Sequence, residues 1–352
     1  MRPPLILPML FASLLTTPNH GTVHAADAAW AKLKPVPDAE GFAAPFAGVS
    51  HGALIVAGGA NIPKDKWADV FTKVWHDNIF VLEQPDGEWK SGFKLPRSLG
   101  YGICVSADDS VLCFGGSDAI KHYSDGFRLR WKDGKVDITS LPSLPKPCAN
   151  ACGALVGRTI YIAGGIEAPA STTAMHTFWS LDLDAAEPLW KESPPWPGPS
   201  RMLAVAGSNK GAFYLFSGAS LAPGTDGKPQ RTFLRDAYRY TPEDGWKRIA
   251  DLPRSAVAAP SPASEIGGQL LIFSGDDGAN VTFTPVIDHP GFPRTTLAYD
   301  PATDAWITQE GLPFSIATVP ALEWQSRIII PNGEVRPRLR TAEVWSLPLP
   351  RH

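Results

Sequence analysis

Carboxylates, amides and arginines recur beside a glycine landmark along this chain. Asn61 follows Gly58-Gly59, Asp118 follows Gly115-Gly116, Glu167 follows Gly164-Gly165, Asp276-Asp277 follows Gly275, and Glu334 follows Gly333. Arg97, Arg201 and Arg254 stand just ahead of apolar segments, and Arg336, Arg338 and Arg340 trail Glu334. A carboxylate ringed by arginines suits an anionic sugar, because a guanidinium grips a carboxylate through two parallel N–H bonds. Asn61, Arg97, Asp118, Arg201, Arg254 and Asp276 are therefore the expected substrate-binding residues. For most of them singly, a solvated rim charge is the plainer alternative. Glu334 is the exception, because it comes directly after the end of an apolar run, Ile328-Ile-Ile-Pro-Asn-Gly333.

Other chemistries leave less trace. The four cysteines, Cys104, Cys113, Cys148 and Cys152, form no Cys-x-x-Cys and sit in no His-rich zinc spacing. There is no GxGxxG and no P-loop, so the expectation is a reaction without cofactor or metal. A formal net charge of −3 provides no basic field for nucleic acid. The expected partner is a small anionic sugar.

These residues need a scaffold, and the repeat supplies it. A strand ending in small residues recurs as Leu54-Ile-Val-Ala-Gly-Gly59, Val111-Leu-Cys-Phe-Gly-Gly116 and Ile160-Tyr-Ile-Ala-Gly-Gly165, then as Phe213–Gly218, Leu271–Gly275 and Ile328–Gly333. The closing glycines are spaced by 57, 49, 53, 57 and 58 residues, near the kelch period of about 50. After each glycine come a loop, a strand bearing an aromatic (Phe80, Phe127, Trp179, Tyr238, Tyr299, Trp345), in most units a Trp-bearing strand (Trp89, Trp190, Trp246, Trp306), and a Pro turn. Four short strands per unit make a blade, and six units predict an all-β, six-bladed kelch-type β-propeller. The loops after the glycines of units one, four and five are long, and loops of that kind carry function.

The sixth unit runs out at His352 before a fourth strand, while Trp30 lies upstream of the first unit with no repeat of its own. An N-terminal strand around Trp30 should therefore complete the last blade and leave no free edge. Before it, Arg2, the apolar run Leu5–Leu15 and Val23-His24-Ala25 read as a signal peptide over 1–25, too short for a membrane span. The remaining 26–352 forms one domain, expected in the periplasm or secreted. Export permits disulfides. A hairpin at Ala107–Ser110 would set Cys104 opposite Cys113, and free thiols are the expectation.

The stretch Asn332-Gly-Glu-Val-Arg-Pro-Arg-Leu-Arg-Thr341 resembles the Asn-Gly-Glu…Leu-Arg-Thr segment of the bacterial N-acetylneuraminate epimerases, the sialic acid mutarotases. Phe46-Ala-Gly-Val49, Ala57-Gly-Gly-Ala-Asn61 and Tyr101-Gly-Ile-Cys-Val105 extend the resemblance, in rotated order, so the chain looks like a cyclically permuted member. The resemblance implies a periplasmic six-bladed propeller that exchanges sugar anomers by acid/base chemistry. It implies Glu334 as the catalytic proton acceptor and Arg340 as its catalytic partner, and Arg201 resembles the Arg after the family's Pro-Gly-x-Pro turn. The family's long loop rich in Asn, Lys and Asp is shortened here. Competing functions are a sialidase, a kelch-type copper oxidase and a non-catalytic propeller that binds a glycan or protein. No Ser-x-Asp-x-Gly-x-x-Trp box supports the first, and only His122-Tyr123 pairs the residue types the second would need.

Overall fold

The computed structural model describes residues 29–350; the expected signal peptide over 1–25 lies outside them. Each repeat folds as a four-stranded antiparallel sheet. Blade 1 contains Phe46–Ser50, Ala53–Ala57, Asn78–Leu82 and Lys90–Lys94. Blade 2 contains Ile103–Ala107, Ser110–Phe114, Gly126–Lys132 and Lys135–Leu141. Blade 3 contains Cys152–Val156, Thr159–Ala163, Phe178–Asp182 and Lys191–Ser193. Blade 4 contains Val205–Asn209, Ala212–Phe216, Ala237–Thr241 and Gly245–Ile249. Blade 5 contains Ser264–Ile266, Gln269–Phe273, Thr295–Asp300 and Ala305–Glu310. Blade 6 contains Leu322–Glu323, Arg327–Pro331, Val344–Pro348 and, from the other end of the chain, Ala31–Leu33.

The burial pattern explains the composition of each strand. Second strands are sandwiched between neighbouring blades, so Ala53–Ala57 and Ser110–Phe114 are buried throughout and read as unbroken apolar runs. Outer strands such as Lys90–Lys94 face water and are rich in lysine. Closure occurs as expected: Ala31, Lys32 and Leu33 pair with Ser346, Trp345 and Val344. Trp30 packs edge-on against Phe273 and Phe314, at 5.1 and 4.8 Å between ring centroids.

The outer tryptophans join blades. Trp89, Trp190, Trp246 and Trp306 donate their indole N–H to the carbonyls of Lys34, Pro142, Pro194 and Ala250, each just past the outer strand of the preceding blade. Blade 2 has no Trp in its fourth strand. Its Trp131, in the third strand opposite Val136, donates instead to Glu83.

At the centre, Ala44, Tyr101, Asn150, Leu203, Ala258 and Thr318 each precede an inner strand with φ between +49° and +63°. Their backbones close a ring, each N–H donating to the carbonyl of the preceding blade's residue, from Ala44 to Thr318 (2.7 Å) round to Thr318 to Ala258 (2.5 Å). Left-handed φ is unfavourable for such side chains by ~1–2 kcal/mol each, and the ring of hydrogen bonds holds them there. The glycine landmarks follow from the same crowding: a Cβ on Gly58 would lie 2.2 Å from the Leu99 carbonyl oxygen of the next connection.

Candidate functional site

The residue immediately after each glycine pairs with the connection entering an inner strand. The six pairs are Ala43 with Ala60, Gly100 with Ser117, Ala149 with Ile166, Met202 with Ala219, Val257 with Asp276, and Ala317 with Glu334. Each blade thus pins one residue beside the ring at the channel mouth. Only Asp276 and Glu334 in this set are acidic, and they sit on adjacent blades whose connections the Thr318–Ala258 bond links. Asn61, Asp118 and Glu167 lie one residue further along, a register difference that glycine spacing alone does not reveal.

Glu334–Arg336 pairs with Leu339–Arg340 as a hairpin turning at Arg338, whose φ is +70°. Glu334 and Arg340 are direct cross-strand partners, so their side chains share a face. Glu334 Oε1 accepts from Arg340 Nη1 at 3.0 Å and from the Arg338 backbone N–H at 2.9 Å. Glu334 Oε2 makes no hydrogen bond among the described residues and is not sealed from solvent. The pair is mostly buried, with side-chain exposures of 18% for Glu334 and 6% for Arg340. The Nε atoms of Arg340 and Arg336 are buried without partners among the described residues.

Two long loops clasp this hairpin. From blade 1, the Lys66 and Ala68 carbonyls accept from Arg338, which also stacks over Phe71 at 4.3 Å, and Trp67 lies under Arg336 at 5.3 Å. From blade 5, the His289 carbonyl accepts from Arg336. His289 is buried, its Nδ1 accepts the Gly291 N–H at 3.0 Å, and a neutral ring therefore carries its proton on Nε2. Asp276 accepts the Gly278 N–H at 2.9 Å through Oδ1. Burial pushes the Asp276 carboxyl up from its ordinary value, and the charges of Asp277 and Glu334 add to that, against the Gly278 amide and His289.

Lys73 and His289 escaped the sequence reading. Lys73 Nζ stands 3.9 Å from the Tyr101 ring centroid and 4.7 Å from that of Trp75, half-buried at the mouth. It joins none of the ion pairs among the described residues. The signal available for either residue was its place on a long loop.

The three arginines expected to hold substrate are engaged elsewhere. Arg201 is fully buried, donating to the carbonyls of Ser217 and Pro199 and to Asp236 at 2.6 Å, and lying against Trp196 and Tyr238. Arg254 braces Ser255, Ser274 and Thr295. Arg97 is half-exposed, paired with Asp125 at 2.9 Å and stacked on Tyr123. All three bind the scaffold: Arg201 and Arg254 because nearby turns leave backbone carbonyls that need donors, and Arg97 through the Asp125 carboxylate. Asn61 is likewise taken up: it donates to the Gly41 carbonyl and accepts from His76 Nε2 at 2.8 Å. Asp118 caps its own turn through the Ile120 and Lys121 amides and the Tyr123 hydroxyl. Of the expected set, the structure brings together Glu334, Arg340 and Asp276. Below the ring, the channel cavity measures about 80 Å³ and is lined by small residues such as Gly102, Ala151 and Ala204. That is well under the ~300 Å³ of an ordinary ligand pocket.

The described residues include no helix long and apolar enough to cross a membrane, and no group of three His, Cys, Asp or Glu side chains placed to hold a metal ion. Comparison with known proteins gives a consistent family. The family pattern for N-acetylneuraminate epimerase matches residues 14–138 and 141–282. The N-acetylneuraminate epimerase of Haemophilus influenzae (strain PittEE) is 30% identical over 232 residues, covering 59% of this chain and 59% of that protein. Its counterpart from Yersinia pestis (strain Pestoides F) is 27% identical over 230 residues, covering 58% and 56%. The alignments thus span under two thirds of these relatives' length. With six blades closed by the N-terminal strand and the family pattern matched across most of its length, the chain belongs to the N-acetylneuraminate epimerase family.

Proposed function

We propose that this protein is a mutarotase that interconverts the anomers of N-acetylneuraminate or a closely related anionic sugar, without cofactor. The observation that carries the proposal is the mostly buried Glu334, held through one oxygen by Arg340 and the Arg338 amide while its other oxygen has no hydrogen-bond partner among the described residues. Anomer exchange opens the ring, so a base must take the anomeric proton and an acid must supply one to the ring oxygen. Glu334 is the base, and Arg340 fixes its orientation. Lys73, a mouth cation with no carboxylate partner among the described residues, takes the sugar carboxylate in the role expected of Arg97, Arg201 and Arg254. Cation and ring faces together suit a ligand with one charged and one apolar side.

The glycine doublets and their spacing support a kelch-type repeat, and the Arg2, Leu5–Leu15 and Val23-His24-Ala25 pattern supports export to the periplasm or beyond. Proton NMR of freshly released α-anomer, with and without protein, tests the activity. Glu334→Gln preserves both Oε1 hydrogen bonds but removes the base, and general-base loss lowers rate by about 10²- to 10⁴-fold. Near-wild-type exchange by a folded Glu334→Gln variant removes the base assignment. No acceleration by the wild-type protein, with sugar binding retained, favours a non-catalytic glycan-binding propeller.

A further inference from the structure

We propose that Asp276 is the general acid of this site, protonating the ring oxygen as Glu334 takes the anomeric proton; this rests on the mutarotase reading above. The case begins with register. Asp276 and Glu334 occupy the same position in successive blades, each exchanging both backbone hydrogen bonds with its inner connection: Val257 for Asp276 and Ala317 for Glu334, all at 2.8 Å. Residues 257–258 and 317–318 are tied together by the ring bond from Thr318 to Ala258. Two carboxyl groups therefore stand one blade step apart on one rim of the channel.

Their surroundings separate their roles. Glu334 is paired with the Arg340 guanidinium. Asp276 has no cationic hydrogen-bond partner among the described residues. It accepts only the Gly278 amide through Oδ1, which leaves Oδ2 unbonded. The charged and titratable groups that act on it are Asp277 beside it, His289 across the blade 5 loop, and Glu334 on blade 6; burial with the two acidic neighbours favours its protonated form. A carboxyl group held in an ion pair beside a second, half-buried one with no cation bonded to it can divide the base and acid roles between them.

The step balances without a co-reactant. The Glu334 carboxylate takes the anomeric hydroxyl proton, and that oxygen's electrons form the C=O bond. The bond from the anomeric carbon to the ring oxygen breaks, its electron pair stays on the ring oxygen, and the Asp276 proton joins it. Rotation in the open-chain sugar presents the other carbonyl face. Ring closure then returns one proton to Asp276 and takes one from Glu334, leaving both groups as they began.

The test compares wild type, Asp276→Asn and Asp276→Ser by NMR anomer exchange across pH, with the spontaneous rate subtracted and melting temperature and KM measured alongside. Asp276→Asn keeps an acceptor for the Gly278 amide. The expected result is a kcat loss of about 10²-fold or more in both variants, with KM within a few-fold and melting temperature near wild type. Wild-type kcat should fall as pH rises and Asp276 loses its proton, and that alkaline limb should vanish in Asp276→Asn. Wild-type kcat in either well-folded variant, or an alkaline limb that survives in Asp276→Asn, overturns the assignment while leaving the mutarotase reading intact. If the wild-type protein itself does not accelerate exchange, the reading fails and the assignment falls with it.

Discussion

Replacing Arg201 with Leu separates scaffold from site. The guanidinium is fully buried, with Nη2 2.6 Å from Asp236 Oδ2, Nη1 2.7 Å from the Ser217 carbonyl oxygen, and the planar group lying against Trp196 and Tyr238. Leucine fills part of that slot but leaves Asp236, whose side chain is 12% exposed, with Tyr238 as its remaining hydrogen-bond partner and with Oδ1 already unpaired. Removing one partner of a buried ion pair is destabilising by about 3–5 kcal/mol, because the other charge stays buried. At ~2–4 °C per kcal/mol for chains of a few hundred residues, the melting temperature should fall by about 6–20 °C. A second change, Asp236→Leu in the same chain, should recover part of that loss by removing the stranded charge. Scanning calorimetry reads the stability, and NMR anomer exchange reads kcat and KM on the folded fraction at a temperature well below both transitions. KM should stay within about twofold of wild type. A variant that melts like wild type but shows KM raised tenfold or more would refute the reasoning, because the guanidinium would then be acting on substrate.

Two further perturbations probe the mouth and the core. Lys73→Met keeps an apolar stem over Tyr101 and Trp75 but removes the cation, so KM should rise about tenfold or more with kcat little changed and the melting temperature steady; an unchanged KM would rule Lys73 out as the carboxylate partner. All four cysteines are free, and burial raises the thiols of Cys104 to about 11 and of Cys148 and Cys152 to about 12. They should resist a thiol reagent in the native protein and all label in denaturant without reductant, whereas labelling fewer than four would reveal a disulfide.

Much of the architecture was legible because the residues that specify it act locally. The glycine doublets mark places where a Cβ would collide with the next connection, as at Gly58 against Leu99, so their spacing counts the blades. The orphan Trp30 signalled the closing strand because an outer-strand position was otherwise empty in blade 6. Glu334 stood out through its position after an apolar strand end. The arginines misled because a sequence shows that Arg201 and Arg254 are cationic but not that nearby turns expose carbonyls demanding donors; both point into the scaffold to satisfy them. Asn61 and Asp118 misled by one residue, since the bridge to the inner connection falls on Ala60 and Ser117. Lys73 was invisible because its place depends on Tyr101, 28 positions away in the chain, and on the path of a loop whose length alone could be read.

The asymmetry of the site follows from how the rim is built. The ring bonds and the six bridges run through backbone atoms, so the fold constrains the path of the rim without dictating which side chains stand on it. Blades 1 to 3 keep both glycines of each doublet. Blades 4 and 5 replace the first with Ser217 and Ser274, which retain the left-handed backbone at φ +53° and accept the Ala256 and Ile316 amides of the next blade. The landmark can therefore vary where a side chain takes over its contacts. The residue one step beyond the doublet is freer still: Ala60, Ser117, Ile166, Ala219, Asp276 and Glu334 all fit the same bridge. Substituting Asp276 or Glu334 should consequently perturb folding far less than substituting Arg201, although all three carry a formal charge. A rim held by its backbone and functionalised by its side chains lets two adjacent blades acquire acidic groups at the bridge position while the other four carry uncharged residues there.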